Sequence, residues 1–379
     1  MDSKKKNILI IILSILLLIL GGYLIYDKFL SNQDITNNNE NNNYKNFKYL
    51  NDAKNNKQYI VKINGDKYEV VYDLGEDTHY IGIYNGKFYY SDTSIKYIDL
   101  NNENLSEEVL LKIPQSSENP PAYQARYISD SAIIGDTLYF NLNMFSGGKE
   151  KYDGILSINL NSNTFDDHKQ VIADAELGKW YTSEDNSKIY YAKFNSNKGM
   201  IPYEYDIKTG THTQLSEKEY IYDIMYENGK LLYYTREADR FDTNRNKIYS
   251  CNCTPHYELY IYDIKDKTTD LITKEIYDNK NGCFSDIADM IDGKIYYYTS
   301  DGIIHQYNYE TKKSSDYYIV PNNSIYRGFH FIDKDTMKIS FEEGIKQFVI
   351  NGKNVDSINE IEITMLDNSV ETYTIENLK

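Results

Sequence analysis

From Phe47 onward, apolar residues return at every second position in short runs, and the runs are separated by Asn-Gly, Asp-Gly and related turn dipeptides. Period-two alternation predicts strands, and Asn-Gly or Asp-Gly supplies the positive φ of a tight hairpin at low cost. No stretch of this part carries a convincing helical period. One unit recurs as a turn entering an aromatic strand: Asn85-Gly86-Lys87-Phe88-Tyr89-Tyr90, Gly135-Asp136-Thr137-Leu138-Tyr139-Phe140 and Asn186-Ser187-Lys188-Ile189-Tyr190-Tyr191. It returns at Asn228-Gly229-Lys230-Leu231-Leu232-Tyr233-Tyr234, at Asp292-Gly293-Lys294-Ile295-Tyr296-Tyr297-Tyr298 and, more weakly, at Lys334-Asp335-Thr336-Met337-Lys338-Ile339.

A second unit follows each of these, a strand that ends in a turn and leads to a more polar strand. Tyr205-Asp206-Ile207-Lys208-Thr209-Gly210 and Tyr262-Asp263-Ile264-Lys265-Asp266-Lys267 are its clearest copies, and Val61-Lys62-Ile63-Asn64-Gly65 and Val349-Ile350-Asn351-Gly352 bracket the series. Seven copies separated by about 48 residues fall where propeller repeats of about 40–50 residues fall. The expectation is therefore an all-β chain, a β-propeller of seven blades, with six as the alternative because only six turn-plus-aromatic units stand out. A pair of β-sandwiches gives the same alternation. The first copy lacks an innermost strand, while the chain ends in surplus strand sequence, Ile361–Met365 and Val370–Ile375, so both termini are expected to close the ring.

Ahead of the repeats, Ile8 to Tyr26 form 19 positions without a charge. As a helix they reach ~28 Å, enough for a bilayer core of ~30 Å. Lys4, Lys5 and Lys6 precede the run and only Lys28 lies close behind, which puts the N-terminus in the cytoplasm. The rival reading is a cleaved signal peptide, for which Gly21-Gly22-Tyr23 makes a poor cleavage site. The organisation expected is a cytoplasmic stub over 1–7, a transmembrane helix over 8–26, an Asn-rich tether over 27–46 and an extracytoplasmic propeller over 47–379, on a single-pass protein of the cell membrane.

Composition then narrows the function classes. The chain has 379 residues, 40 of them tyrosine against one tryptophan, and a net charge of −16. Residues 1–50 hold six lysines and four acids, so that part is +2 and the remainder −18. An acidic, aromatic-rich exterior excludes a basic nucleic-acid binder and favours cationic partners. Most tyrosines alternate with polar residues inside the repeats and read as packing between blades. Tyr123, Trp180, Tyr181, Tyr326 and Arg327 lie in irregular segments and are the candidates for an aromatic platform that grips a sugar or a peptide, with blade-junction packing as the competing role.

Tyr89-Tyr90-Ser91-Asp92, Tyr297-Tyr298-Thr299-Ser300-Asp301-Gly302 and the Tyr-Asp-Ile-Lys-Thr-Gly hairpin resemble bacterial propeller domains of unknown function, related to the Tyr-Trp-Thr-Asp propellers of lipoprotein receptors and to TolB-like propellers. The resemblance implies a surface-exposed binding role without a known reaction. Tyrosine stands where those receptors use tryptophan, so their ligands do not carry over.

Candidate chemistry is sparse. Cys251, Cys253 and Cys283 are the only cysteines, and with His256 they make a candidate zinc set. An extracytoplasmic location instead favours a disulfide from Cys251 or Cys253 to Cys283, and free thiols are the third option. Asp242-Thr243-Asn244-Arg245-Asn246 starts like a calcium loop but puts Lys247 at the glycine position and Cys253 at the glutamate position. No Gly-x-Ser-x-Gly elbow, phosphate loop or His-Glu-x-x-His occurs, and no catalytic residue or cofactor is assigned. The expected function is a protein- or glycan-binding module, with a glycoside hydrolase or lyase using funnel carboxylates as the alternative.

Overall fold

The computed structural model describes residues 44–112, 124–145, 154–162, 169–172, 180–195, 199–216, 221–236, 256–277, 288–299, 301–321, 326–341, 344–355, 360–374 and 377–378. All of them belong to the unit Glu40–Lys379. The segment predicted to span the membrane and the tether up to residue 43 lie outside the described residues. Among the described residues, no helix is long and apolar enough to cross a membrane.

The described chain is nearly all strand. It opens with β1 (Phe47–Asp52), β2 (Lys57–Asn64) and β3 (Lys67–Gly75). The first four-stranded blade is β4 (His79–Tyr84), β5 (Lys87–Ser91), β6 (Ser94–Asp99) and β7 (Glu107–Lys112). The second is β8 (Gln124–Ile134), β9 (Thr137–Phe145), β10 (Ile155–Asn159) and β11 (Lys169–Ile172). The third, β12 (Tyr181–Thr182), β13 (Lys188–Asn195), β14 (Gly199–Asp206) and β15 (Thr211–Gln214), touches the fourth through the single pair Met200↔Ile221. That fourth blade is β16 (Ile221–Glu227), β17 (Lys230–Arg236), β18 (His256–Asp263) and β19 (Thr268–Tyr277). The fifth comprises β20 (Ala288–Ile291), β21 (Lys294–Tyr298), β22 (Ile303–Asn308) and β23 (Lys313–Ile319). The sixth comprises β24 (Tyr326–Asp333), β25 (Thr336–Phe341), β26 (Gly344–Ile350) and β27 (Lys353–Val355). The hairpin β28 (Glu360–Thr364) and β29 (Val370–Thr374) then joins the opening strands in a five-stranded sheet, the seventh blade of the ring.

Local chemistry explains the hairpins. Asn85-Gly86 and Asn228-Gly229 take φ values of 49° and 71°, and of 48° and 72°, the paired positive dihedrals of a type I′ turn. Each turn leads into the second strand of a blade, and that strand is buried on both sides. Phe88 and Tyr90 of β5 pack toward the opening strands with Tyr49 and Ile60, whereas Tyr89 between them packs toward the second blade with Ile128 and Phe140. In β17 the same division sends Leu231 and Tyr233 into the junction with the third blade and Leu232 and Tyr234 into the junction with the fifth. A run such as Leu-Leu-Tyr-Tyr is therefore apolar without a break, because both of its faces are core.

Ring closure uses both ends of the described chain. β28 lies parallel to β3 through Ile363↔Tyr68 and Thr364↔Glu69, and β29 pairs antiparallel with β28. The chain then returns to β1, where Leu378 bridges Leu50 and the Asn377 side chain donates to the Asn51 carbonyl at 3.0 Å. The five strands thus curl around a core of Leu50, Val61, Val70, Ile363 and Tyr373.

Candidate functional site

The innermost strands of the blades vary from two residues in β12 to eleven in β8, and several are irregular. Pairing slips between Tyr80 and Gly82 in β4, between Ile128 and Asp130 in β8, and between Tyr326 and Gly328 in β24. Such bulges re-aim side chains and are frequent next to sites. Tyr181 on β12, Tyr226 on β16, Asp289 on β20 and His330 on β24 border a small space of about 120 Å³, which shows four innermost strands facing a common interior. Asp289 is occupied there, since its carboxylate accepts the Phe331 N–H at 3.0 Å.

A larger cleft, about 520 Å³, opens where β1, β4 and β8 meet. Tyr49, Asn51 and Gln58 line one side, Asp77, Thr78, His79 and Tyr80 a second, and Ile128, Asp130 and Ser131 a third. Hydrogen bonds fix its polar floor. Gln58 donates to Asn51 Oδ1 at 3.3 Å and accepts the Thr78 N–H at 3.1 Å, while Tyr49 donates to the Thr78 carbonyl at 2.6 Å. The Asp130 N–H is held by Asn141 Oδ1 at 2.8 Å beside the bulge. Tyr80 stacks on Tyr49 at 5.7 Å and leans on Phe88 at 5.1 Å, and burial pushes its hydroxyl up to about 12. The result is a preformed cleft with aromatic and amide surfaces and two carboxylates, and with neither Lys nor Arg in its lining among the described residues.

A second cleft of about 660 Å³ lies across the turn after β1, between Asp52, Lys54 and Asn55 on one side and Glu371, Tyr373 and Asn377 on the other. Asp52 is buried and fully engaged. It accepts the N–H groups of Lys54 and Asn55, both at 3.2 Å, the Asn55 side chain at 2.7 Å and the Tyr373 hydroxyl at 3.3 Å. That set of bonds is a latch joining the two ends of the ring.

The fifth blade brings together a threonine, a histidine and an aspartate that sequence reasoning did not single out. His305 lies 2.8 Å from Thr299 Oγ1 through Nε2 and 3.1 Å from Asp316 Oδ1 through Nδ1. The order of contacts resembles a nucleophile, base and acid. Thr299 is only 4% exposed, however, and its hydroxyl donates to Asp301 Oδ1 at 2.5 Å. Asp301 also takes the Ile303 N–H at 3.1 Å, so the cluster fastens a turn and offers no reachable nucleophile. Among the described residues, no group of three or more His, Cys, Asp or Glu side chains could hold a metal ion.

The sequence candidates separate. Trp180 is buried with Ile155, Ile189 and Tyr205 between the second and third blades. Tyr326 is buried between the fifth and sixth blades, stacked on Tyr298 at 4.0 Å. Both rings thus take part in the junction packing that was the competing role for them. Tyr181 is half-buried and borders the 120 Å³ space, and Arg327 is half-buried on β24. Tyr123, Cys251, Cys253 and Cys283 lie outside the described residues, and His256 is placed only by its pairing with Tyr277. Tyr49, Asp77, His79 and Asp130, which line the main cleft, carry no local signal beyond turn chemistry and strand alternation.

No family model and no curated protein matches the chain. Solved structures share the propeller fold. A puromycin hydrolase superposes with a TM-score of 0.48 at 10% identity, over 86% of this chain and 56% of that one. A puromycin-hydrolysing peptidase of Mycobacterium tuberculosis gives 0.48 at 12% identity, over 79% and 48%. TolB from Acinetobacter baumannii gives 0.37 at 12% identity, over 71% and 62%. The chain spans about half the length of the two hydrolases, and at these values the likeness carries no conclusion about this chain.

Proposed function

We propose that the chain is a single-pass, membrane-anchored β-propeller that holds its ring outside the cell and binds a protein or glycan partner there, without chemistry of its own. The observation that carries this reading is the 520 Å³ cleft between β1, β4 and β8, whose volume, aromatic wall and convergent amides are those of a ligand site. The anchor rests on the uncharged run Ile8–Tyr26 and its lysine asymmetry.

The test uses the full chain in lipid nanodiscs against arrays of glycans and peptides, beside the variants Asp77→Asn and Ser131→Ala. Binding that weakens in both variants supports the reading, and binding indifferent to both removes the cleft from it. Protease added to intact cells tests the topology: the ring is digested while the N-terminal helix survives in the membrane.

Asp77 and Asp130 line one cleft, and this favours a second reading, hydrolysis or elimination on a glycan by paired carboxylates. It predicts product release that disappears on changing either aspartate to asparagine.

A further inference from the structure

One backbone donor fixes the orientation of two side-chain amides at the cleft between β1, β4 and β8. The Thr78 N–H can only donate, so the atom of Gln58 that it meets at 3.1 Å is the carbonyl oxygen, Oε1. That leaves the Gln58 amino group to donate to Asn51 Oδ1, at 3.3 Å. With its own carbonyl oxygen taken, Asn51 turns its amino group away from Gln58, and among the described residues that group has no acceptor. Gln58 is 5% exposed and held at both ends of its amide, so the relay Thr78–Gln58–Asn51 is set before any ligand arrives. Asn51 lies in the lining of the 520 Å³ cleft and offers two N–H donors to whatever enters it.

Acceptors line the same cleft. The Asp77 carboxylate takes the Asn56 side chain at 3.4 Å through Oδ1, and Ser131 adds a hydroxyl that both donates and accepts. Tyr80, half-buried and stacked on Tyr49 at 5.7 Å, supplies an apolar ring surface. This mixture selects among ligand classes. A cation entering the cleft meets the N–H groups of Asn51, and an anion meets the carboxylate of Asp77. A sugar hydroxyl suits both, since it accepts from an amide and donates to a carboxylate, while the C–H face of a pyranose covers an aromatic ring. We infer that the cleft is a subsite for one uncharged sugar unit of a glycan, with Asn51 donating to one hydroxyl, Asp77 accepting from another, and Gln58 acting as the positioning residue that keeps Asn51 in its donating orientation. This rests on the binding reading above and names its ligand.

The test is fluorescence polarisation with the full chain in nanodiscs and labelled trimers of glucose, galactose, mannose and N-acetylglucosamine. Comparison ligands are a galacturonic acid trimer, a glucosamine trimer, which carries ammonium groups, and a Lys-Val-Lys-Val-Lys-Val peptide. The expected result is binding of at least one neutral trimer, with the galacturonic acid trimer weaker by about tenfold or more. Asn51→Asp replaces both N–H donors with acceptors and weakens the neutral trimer by about tenfold. Gln58→Glu keeps an acceptor for Thr78 but loses the donor to Asn51, which then swings its amino group toward position 58. The neutral trimer weakens by about fivefold although position 58 is itself closed to the ligand. Both variants gain affinity for the glucosamine trimer, a change that a merely loosened fold does not produce. Should either variant unfold, Asn51→Ser takes its place, with a loss of about fivefold expected for the neutral trimer. Neutral binding unchanged in these variants, or lost without any gain for glucosamine, overturns the relay, and equal binding of the galacturonic acid trimer overturns the uncharged subsite. Binding of the peptide alone, weakened in Asp77→Asn and Ser131→Ala, overturns this inference and leaves the binding reading standing. Silence of every sugar and of the peptide overturns both.

Discussion

Leu231 and Leu232 are neighbours in sequence, yet they belong to different cores. Leu231 is 0% exposed in the junction of the third and fourth blades, where it lies opposite Tyr262 on the adjacent strand. Leu232 is 1% exposed in the junction of the fourth and fifth blades. Truncating either to alanine removes a fully buried leucine and is expected to cost about 3 kcal/mol. The informative quantity is the coupling between pairs. Leu231→Ala with Tyr262→Ala perturbs one cluster, so the two costs are expected to miss additivity by about 1 kcal/mol, because the second truncation relaxes into the cavity left by the first. Leu231→Ala with Leu232→Ala touches two clusters that share no member, so the pair is expected to couple clearly less than the first, with only the shared backbone between them. Equilibrium urea unfolding of the unit Glu40–Lys379, followed by far-ultraviolet circular dichroism and by the fluorescence of the single buried tryptophan, Trp180, measures both cycles. Equal coupling in the two cycles would mean that the strand faces one core, and the two-junction account of the tyrosine-rich strands would fall.

Three further outcomes follow from the packing. Gly86→Ala and Gly65→Ala are each expected to cost about the ~1–2 kcal/mol of a left-handed residue, because the atoms nearest the new Cβ at Gly86 are the side-chain ends of Asn101 and Tyr44, which can swing aside, and Gly65 has open space around it; urea midpoints compare the two. Burial raises Tyr190, Tyr296 and Tyr309 from the ordinary 10.0 to about 12. Their neutral forms therefore support the fold fully below pH 10.0, and that support is lost as pH rises toward about 12; tyrosinate absorbance should lag behind that of the unfolded chain while urea midpoints fall across this window. Asp52→Ala strips the acceptor from two backbone N–H groups and from the Asn55 side chain, while the Tyr373 hydroxyl keeps Glu371 at 2.9 Å, so a loss of about 2–3 kcal/mol is expected in thermal unfolding, with earlier proteolysis of the C-terminal hairpin as its local sign.

The ring was legible in the sequence because its rules are local. Turn dipeptides and second strands with apolar residues on both faces together mark the first five four-stranded blades, and the sixth more weakly at Lys334-Asp335. The surplus strands after Glu360 announced closure in the same way. The site was not legible, because it is assembled from three distant segments, residues 49–58, 77–80 and 128–131, whose polar members look like ordinary turn residues. Trp180 was open between a binding platform and junction packing on sequence alone, and the structure buries it between two blades. The same two roles were open for Tyr326, which lies buried between the fifth and sixth blades.

The central claim is that the acidic cleft beside β1 binds and does not transform. Incubating the full chain with labelled glycans and peptides, and following both retention and product release on the same samples, tests it most directly. The account predicts retention that weakens on Asp77→Asn or Asp130→Asn, with no product formed by any of the proteins. Product that appears with the native chain and vanishes in either variant would contradict it.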